Sequence, residues 1–397
     1  MSRMIDASAI TIDALNADPY PVYDELRKIA PIVYVPQIDE WLVTSWDDCR
    51  AIGALKDSVQ LAPGHPVDQE FFGGDSVLTM SGDKHKGLRE GIDQSLKAGP
   101  VARFLDDGGR DTVIRYIDAI APQGRGDLAV DLLNKISVRV VGNRLGFDDV
   151  DDETLVRWFE ALSGGLSNKE GDNEASIRAE VTIREIDEYM GDKIARLRAT
   201  PDDTLLSHML HVGLPDGEGP RTFDDVMPSI RVIILGAFQE PGHSVATTFW
   251  GLLNEPDQLR ELQASPNEFA PAALRESFRW IAPIGVVAAH PLTDFTYNGV
   301  TVPAGAPLSL VVAAANRDPA KFTDAHRFDM HRTQTVNATF GYGVHHCSGH
   351  QLAKGLGEIM VEETARRLPN LRLDPDAPAT VSGYLFRGAK SLPVLWN

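Results

Sequence analysis

Apolar residues recur at spacings of three and four along two stretches of the chain. The first set is Ile183, Ile186, Met190, Ile194 and Leu197, and the second is Leu352, Leu356 and Ile359. Such spacing places the apolar side chains on one face of an α-helix. Both stretches are therefore predicted to be amphipathic helices, and the second is expected to run from Gly349 to Arg367.

A third stretch, from Thr222 to Asn254, is mostly apolar. Its polar residues lie at the beginning and around Gln239–Glu240. A helix that is apolar all round is normally buried, so the pattern predicts a helix that runs through the core. Pro256 marks the expected end of this helix.

Short β-type runs, punctuated by glycine and proline, occupy three other regions. The segment PIVYVPQIDEWLVTSW, residues 31–46, predicts an early hairpin, and similar runs extend from Pro283 to Val312 and from Val381 to Trp396. Gly213–Pro220 is predicted to be a loop. No linker, repeat or low-complexity block interrupts the sequence. The expected fold class is mainly α with small β-sheets, in a single domain over residues 1–397.

Composition and charge exclude several classes of function. Hydrophobic residues form 43% of the 397 positions, enough for a large core, and the net charge is −19. This charge argues against a nucleic-acid partner, because phosphate contacts need clustered lysine and arginine. The apolar runs are much shorter than the ~18 residues of a membrane span, and no apolar signal region follows the start. With only two cysteines, the chain is expected to be cytoplasmic and free of membrane contact.

One of the two cysteines, Cys347, lies in the segment FGYGVHHCSGHQLA, residues 340–353. It stands between a glycine-rich turn and the second predicted amphipathic helix. Unpaired amide groups and the positive end of the helix dipole are expected to lower the pKa of a thiol at such a position. Gly341, Gly343 and Gly349 allow backbone conformations or close approaches that a Cβ would block. The loop is therefore predicted to lie against a flat partner.

Three roles are open to this thiol. It could be a structural cysteine at the start of a helix. It could belong to a zinc site formed by His345, His346, Cys347 and His350, although adjacent side chains diverge and no second pair of ligands lies nearby. It could also ligate haem iron as a thiolate.

The spacing of the segment resembles the haem-binding signature of the cytochrome P-450 family, F-x-x-G-x-[H/R]-x-C-x-G. The matching residues are Phe340, Gly343, His345, Cys347 and Gly349. Three further motifs match in the same order along the chain. Glu276 and Arg279 resemble the family's E-x-x-R, HRFDMHR resembles the meander that follows it, and GDKHKGLR resembles its H-x-x-x-R. The resemblance implies a cytochrome P-450 fold with haem b between a long central helix and the cysteine-bearing loop.

The resemblance also implies roles for individual residues. Cys347 would be the axial ligand of the iron, and Phe340 and Gly349 would belong to the same haem-binding loop. His85, Arg89 and His345 would contact the haem propionates. Many bacterial relatives carry an arginine after the E-x-x-R helix as a further propionate partner. This chain offers His290 there, which predicts a weaker or pH-sensitive anchor.

The central helix departs from the family pattern A-G-x-[D/E]-T, in which an acid and an alcohol relay protons to dioxygen. The corresponding sequence in this chain is LGAFQEPGHSVATT, so Gln239 takes the place of the acid and Glu240 the place of the alcohol. Pro241 cannot donate to the carbonyl of Ala237 and is expected to open the helix. Our hypothesis is that Glu240 delivers protons while Gln239 orients the network, and that the carboxylate also supports turnover with hydrogen peroxide.

The segments LGAFQEPGH, ANRDPAKF and FRGAKSLPVLW are similar to one branch of the family, the bacterial aromatic O-demethylases of lignin-derived guaiacol and syringol. The pocket of that branch maps onto mostly apolar residues of this chain: Phe72, Leu166, Val232, Gly236, Ile284, Val287 and Phe386. Such a lining suits a flat phenol. The guaiacol enzymes carry phenylalanine where this chain has Leu166, so a wider pocket and a syringol-like substrate are expected.

The reaction implied by this branch is hydroxylation of the O-methyl carbon, after which the hemiacetal collapses to formaldehyde and a catechol. The partners would be dioxygen or hydrogen peroxide and a separate flavin and iron–sulfur reductase that uses NADH, since no motif for those cofactors occurs in the chain. One alternative is hydroxylation of a terpenoid or another compact apolar molecule. A second alternative is a haem-binding protein without turnover.

Overall fold

The computed structural model describes residues 6–55, 58–62, 71–168 and 171–397. Helices dominate it, and short strands lie at the beginning and towards the end of the chain. The α-helices are α1 (Ile12–Ala17), α2 (Tyr20–Ile29), α3 (Trp46–Gly53), α4 (Gly82–Leu96), α5 (Ala98–Phe104), α6 (Arg110–Ile120), α7 (Asn134–Leu145), α8 (Asp152–Leu166), α9 (Asn173–Ala199), α10 (Leu205–His211), α11 (Phe223–Ala237), α12 (Glu240–Leu253), α13 (Pro256–Ala264), α14 (Pro266–Trp280), α15 (Val312–Ala315) and α16 (His350–Arg367). The predicted class, mainly α with small sheets, is confirmed.

Within the described residues, the strands form four small sheets. They are β1 (Ile32–Val35), β2 (Glu40–Val43), β3 (Val59–Gln60), β4 (Arg125–Asp127), β5 (Val287–Pro291), β6 (Phe295–Tyr297), β7 (Val300–Val302), β8 (Leu308–Leu310), β9 (Arg372–Leu373), β10 (Thr380–Ser382), β11 (Gly388–Ser391) and β12 (Pro393–Leu395). The largest sheet has the order β1-β2-β8-β5-β3, and the smaller ones are β4-β12-β9, β10-β11 and β6-β7. All three predicted β regions, including the early β1–β2 hairpin, are therefore confirmed.

The two amphipathic helices are confirmed as α9 and α16. On α9, Ile186, Met190, Ile194 and Leu197 are buried, and Ile183 packs against the same core. On α16, Leu352, Leu356 and Ile359 are buried. Their apolar faces cover the central helices, so the hydrophobic effect rather than helix propensity holds them in place.

The long apolar stretch forms two helices rather than the single helix that its pattern predicts. Helix α11 ends at Ala237, α12 begins at Glu240, and Phe238 and Gln239 lie between them. Pro241 stands in the first turn of α12, where its missing N–H costs nothing. The hydroxyl of Ser137 donates to the Phe238 carbonyl at 2.6 Å, so an outside side chain satisfies the backbone at the break. Pro256 opens α13 as well as following α12.

A buried ion network lies behind the cysteine loop. Glu276 and Arg279 on α14 form a bidentate pair at 2.6 and 2.9 Å, and Arg332 of the HRFDMHR segment reaches the same carboxylate at 3.1 and 3.2 Å. Arg279 also donates to the carbonyls of Asn316 and Ala325. The structural role predicted for the E-x-x-R residues is thus visible as a link between α14 and the segment before the loop.

None of the helices in the described part of the chain is both long enough and apolar enough to cross a membrane.

Candidate active site

Two left-handed glycines shape the loop that carries Cys347. Gly341 has φ of 73° and Gly343 has φ of 58°, conformations that residues with a Cβ rarely adopt. The loop closes on itself because the N–H of Cys347 donates to the carbonyl of Phe340 at 2.9 Å. At the start of α16, Nδ1 of His350 lies 2.7 Å from the Cys347 carbonyl. The sulfur is thereby held at the entrance of α16, as the sequence predicts.

The helix start lowers the pKa of the Cys347 thiol, as predicted, but burial outweighs it and the net shift is upward. Burial raises the pKa of this thiol, and the nearby backbone N–H groups of Gly349 and His350 and the charge of Arg89 lower it by less. The side chain lines a cavity, so its surface is accessible although protein atoms surround it. A bound metal cation, rather than the helix terminus, is what would hold this sulfur as a thiolate.

Space is left beside the sulfur. Gly349 has an ordinary φ of −77°, so its role is not conformational. A Cβ built on it would make only an ordinary van der Waals contact with Sγ of Cys347, at 3.8 Å. Within the described residues, no group of three or more His, Cys, Asp or Glu side chains is arranged to hold a metal ion, so the zinc alternative finds no support in the geometry.

A cavity of about 940 Å³ extends from Cys347 to the break between α11 and α12. All seven predicted substrate residues line it: Phe72, Leu166, Val232, Gly236, Ile284, Val287 and Phe386. Gln239, Glu240, Phe340, Arg89, His345 and Gly349 line the same cavity. A Cβ built on Gly236 would meet no atom within 4 Å, so this glycine leaves the α11 wall open. Residues from distant parts of the sequence thus line one cavity.

Several secondary-structure contacts fix the apolar wall. Ile284 and Phe386 form an isolated antiparallel β-bridge. The ring of Phe386 lies 6.3 Å from that of Phe159, a residue of α8 that also lines the cavity and that the sequence analysis missed. Phe72 is 1% exposed and makes an edge contact with Phe71. Phe159 thus adds a third ring to the two that were predicted to contact the substrate, and Phe278, Phe340 and Tyr384 line the same cavity.

His85 and His345 form a pair at one side of the cavity. Their ring centroids are 4.5 Å apart, and Nε2 of His85 is buried without a hydrogen-bond partner. Burial lowers the pKa of His85, with a smaller contribution from Arg89. Burial, followed by His85 and Arg89, lowers the pKa of His345 to about 4. An unpaired buried imidazole nitrogen calls for an acceptor or a donor from a bound group.

Arg89 is directed at the cysteine loop. Its guanidinium donates to the carbonyls of Val344 at 3.2 Å and His346 at 3.0 Å, and its Nε donates to Asp93. Arg89 lines the cavity from this position, so its predicted propionate contact would be added to an existing clamp on the loop. The clamp ties α4 to the loop that holds the sulfur.

His290 lies apart from these residues. It is on β5, and its Nδ1 is 3.0 Å from the carbonyl of Ala62, whereas Val287 and Ala288 of the same strand line the cavity. Neither His290 nor His85 belongs to the cavity lining, whereas Arg89 and His345 do, and of these two histidines outside the lining only His85 contacts His345. Its contact with a propionate stays a prediction.

A cluster of unpaired polar atoms lies at the break between α11 and α12. Five buried side-chain atoms there have no hydrogen-bond partner among the described residues: Nε2 of Gln239, both carboxylate oxygens of Glu240, Nδ1 of His243 and Oδ1 of Asn134. His243 Nδ1 is 3.8 Å from Glu240 Oε1. Buried polar atoms of this kind are normally satisfied by water or by a ligand. The cluster is therefore the polar part of an otherwise apolar cavity.

His243 and Lys390 were missed by the sequence analysis. His243 is three residues after Glu240 on α12, so helical spacing is a signal that could have found it. Lys390 lies on β11 and lines the cavity, and nothing in the local sequence points to it. Burial lowers the pKa of Lys390, and the carboxylates of Glu240 and Glu160 oppose that effect.

The residues present fit a haem. The sulfur of Cys347 lines a largely apolar cavity, and Arg89 and His345 line the same cavity. The ring of His85, whose buried Nε2 has no hydrogen-bond partner among the described residues, contacts the ring of His345. Cys347 would hold the iron, and His85, Arg89 and His345 would hold the propionates. The group would supply oxygen activation and electron transfer at this site.

Comparisons with known proteins agree with this geometry. The family model described as "Cytochrome P450" matches residues 260–364. The chain is 31% identical over 393 residues to the mycinamicin IV hydroxylase/epoxidase of Micromonospora griseorubida, with 94% of each chain covered. It is 28% identical to the 6-deoxyerythronolide B hydroxylase of Saccharopolyspora erythraea, with 96% of this chain and 97% of the relative covered.

A solved structure shows the same fold. The bacillaene polyketide synthase cytochrome P-450 PksS of Bacillus subtilis 168 superimposes with a TM-score of 0.85 at 21% identity, over 99% of this chain and all of the other. The haem-binding spacing around Cys347 thus occurs in a chain whose fold and nearly full-length sequence match haem-thiolate enzymes. The chain belongs to the cytochrome P-450 family, with haem as its cofactor and the thiolate of Cys347 as the axial ligand.

Proposed function

We propose that this cytochrome P-450 monooxygenase is an aromatic O-demethylase that acts on lignin-derived methoxyphenols of the syringol or guaiacol type. The observation that carries the proposal is the convergence of all seven predicted pocket residues on the cavity that contains Cys347. The same cavity holds the Gln239–Glu240 pair in place of the usual acid and alcohol. The resemblance to the O-demethylase branch supports the assignment, since those features occur together in it.

The chain's own residues would position the substrate. Phe72, Phe386 and the newly found Phe159 present ring edges and faces to a planar phenol, and aliphatic side chains exclude water around it. When bound, the haem supplies the oxidation of the O-methyl carbon. Because the rings restrict where a flat molecule can lie, the protein's contribution is to hold one methyl group at the reacting position.

Proton delivery would fall to the polar cluster at the helix break. Glu240 lines the cavity and is 8% exposed, and neither of its oxygens has a hydrogen-bond partner among the described residues, so both are available to ordered water. Gln239 and His243 supply an amide nitrogen and an imidazole nitrogen beside it, and both are available to ordered water. We assign Glu240 the role of proton donor and Gln239 the role of orienting the water.

Cytochromes P-450 use dioxygen and need a redox partner. For this chain we propose a separate flavin and iron–sulfur reductase that takes electrons from NADH. Hydrogen peroxide is proposed as a substitute for dioxygen and reductase, because it already carries the two electrons and two protons that dioxygen must receive, and a carboxylate at position 240 could take up and return a peroxide proton.

The proposed function is tested by a methoxyphenol screen that measures formaldehyde with NADH and a surrogate reductase. Each substrate, syringol or guaiacol, is expected to give one formaldehyde for each molecule of the corresponding catechol. Syringol is expected to bind more tightly than guaiacol in spectral titrations. Leu166→Phe is expected to weaken syringol binding by about tenfold or more, because overpacking costs about 1–3 kcal/mol. The affinity of the same variant for guaiacol should not change, and it serves as the internal control. Hydroxylated products without formaldehyde would reject O-demethylation, and tighter guaiacol binding by the wild type would reject the syringol preference.

A second candidate is hydroxylation of a terpenoid or another compact apolar molecule. The names of the relatives described above favour the reaction type, since they are a hydroxylase/epoxidase and a hydroxylase, but they do not name such a substrate. The same screen separates the two, because hydroxylation at carbon releases no formaldehyde. Rapid NADH-dependent turnover of any of these compounds would exclude a haem-binding protein without turnover.

The relay is tested by Glu240→Ala and Gln239→Ala. We expect Glu240→Ala to lower the fraction of NADH that yields product by about tenfold and to remove peroxide-driven turnover, because the only change is loss of the buried proton donor. Gln239→Ala should have a smaller effect in the same direction. Glu160→Gln is the matched control, since Glu160 lines the same cavity but is exposed.

Unchanged coupling of NADH use to product in both Glu240→Ala and Gln239→Ala would remove the relay from the mechanism. Absence of product with hydrogen peroxide in the wild type would show that peroxide is not an oxidant for this chain.

A further inference from the structure

A buried arginine joins three elements around the apolar part of the cavity. Arg231 is on α11, immediately before the lining residue Val232, and is 6% exposed. Its Nη1 donates to the carbonyl of Phe72 at 2.5 Å, and its Nη2 lies 2.5 and 2.6 Å from the two carboxylate oxygens of Asp187 on α9. One planar group thus connects the segment of Phe72, α11 and α9.

The backbone around Phe72 is built to accept this group. Gly73 has φ of 77°, and a Cβ on it would lie 2.4 Å from Nη1 of Arg231. Only glycine therefore lets the chain turn after Phe72 while the guanidinium reaches the Phe72 carbonyl. A second contact on the same helix, from the N–H of Val77 to the hydroxyl of Ser229 at 2.8 Å, fixes the continuation of this segment.

The guanidinium of Arg231 with its contacts to the Phe72 carbonyl and the Asp187 carboxylate, here called the Arg231 fork, is held in place by a charge balance. Asp187 is the partner that compensates the buried positive charge, and its side chain is 31% exposed. Nε of Arg231 has no hydrogen-bond partner among the described residues. The cost of burying the guanidinium is therefore offset by the contacts of Nη1 and Nη2 alone. A lysine could supply one point charge but could not span both partners with planar geometry.

We propose that Arg231 is a positioning residue for substrate selection, which sets the place of the Phe72 ring by holding its carbonyl and is itself held by Asp187. The inference rests on the proposed function in taking Phe72 as a substrate contact. The fork makes the aromatic wall a fixed surface relative to Val232 and Gly236 on α11, so the cavity is preorganised for a flat ring. Without the fork, the Phe72 carbonyl loses its donor and the wall can shift.

The test compares two probes that ligate haem iron, 4-phenylimidazole, whose phenyl ring occupies the cavity, and imidazole, which lacks that ring. In purified haem-containing protein, Arg231→Met is expected to weaken 4-phenylimidazole binding by about tenfold, measured by spectral titration, and to leave imidazole binding unchanged. The 4-phenylimidazole affinity of Arg231→Lys is expected to lie between those of Arg231→Met and the wild type. Arg178→Gln, which breaks an exposed pair with Glu174 on α9, is the matched control and should change neither affinity.

Equal losses for both probes would overturn the proposal, because they would show general damage to the haem site. An unchanged 4-phenylimidazole affinity would overturn it as well. If Arg231→Met does not fold, Arg231→Lys and Asp187→Asn decide between the same two results. Hydrogen exchange in residues 71–80 should rise in the variants that weaken the phenyl probe. Because no methoxyphenol is involved, a failed formaldehyde screen with an intact probe difference would reject the proposed function and leave this inference standing.

Discussion

Replacing Cys347 with serine is expected to abolish NADH-dependent oxygenation. The sulfur is the only side-chain atom of the loop that the family motif places on the iron, and a hydroxyl does not supply the same electron density. The carbon-monoxide complex of the reduced protein should lose the long-wavelength Soret band that thiolate ligation gives. Since Cys347 makes its loop hydrogen bonds through the backbone, serine should leave the fold of the loop in place.

Cys49 provides the control for this variant. It is buried on α3, and its sulfur lies 3.2 Å from the Val43 carbonyl, far from the haem-binding motif in the sequence. Cys49→Ser should keep both the Soret band and turnover. Retained oxygenation in Cys347→Ser, or loss of the band only in Cys49→Ser, would contradict the assignment of the axial ligand.

Glu276→Ala is expected to destabilise the protein by about 3–5 kcal/mol, because it leaves two buried arginines without their shared counter-charge. Glu276, Arg279 and Arg332 are 4%, 2% and 8% exposed, so solvent screens the two unpaired positive charges much less than it would at the surface. The N–H of Asp329 also loses its acceptor. The measurement is the apparent free energy of unfolding in urea, followed by helical circular dichroism and by haem release.

Glu255→Ala tests whether burial is the cause. Glu255 also pairs with an arginine, Arg327, through two hydrogen bonds of 2.8 and 2.6 Å, but this pair is at the surface. A much smaller loss of stability is expected, because solvent screens exposed pairs. Similar losses in the two variants would show that the network around Glu276 is not held by a buried charge balance. Haem release before helix loss in Glu276→Ala would show that the network acts on the cysteine loop first.

The Arg231 fork and the polar cluster around Glu240 have different roles in the same cavity. The fork acts on an apolar wall and should change which ring is bound. The cluster acts on protons and should change how much NADH yields product. A variant that moved both quantities together would indicate that the wall and the cluster are mechanically linked.

Local sequence signals determined the helices, the hairpin and the haem-binding motif. The spacing of apolar residues on α9 and α16 predicts one buried helix face over several turns. The glycines of the cysteine loop indicate a turn, and two of them have positive φ. These signals extend over a few residues, which is the range of helix periodicity and turn chemistry. The candidate ligand and pocket residues followed from motif resemblance, and the structure shows that the pocket residues share one cavity.

Only the tertiary structure decided the break between α11 and α12, because apolar residues continue on both sides of Phe238 and its carbonyl is satisfied by Ser137 from α7, 101 positions away. The raised pKa of Cys347 likewise comes from burial by distant elements, which outweighs the local helix start. Arg231 meets partners 159 and 44 positions away, and Lys390 reaches the cavity from the last strands. Such contacts depend on how whole elements pack, and no short segment encodes them.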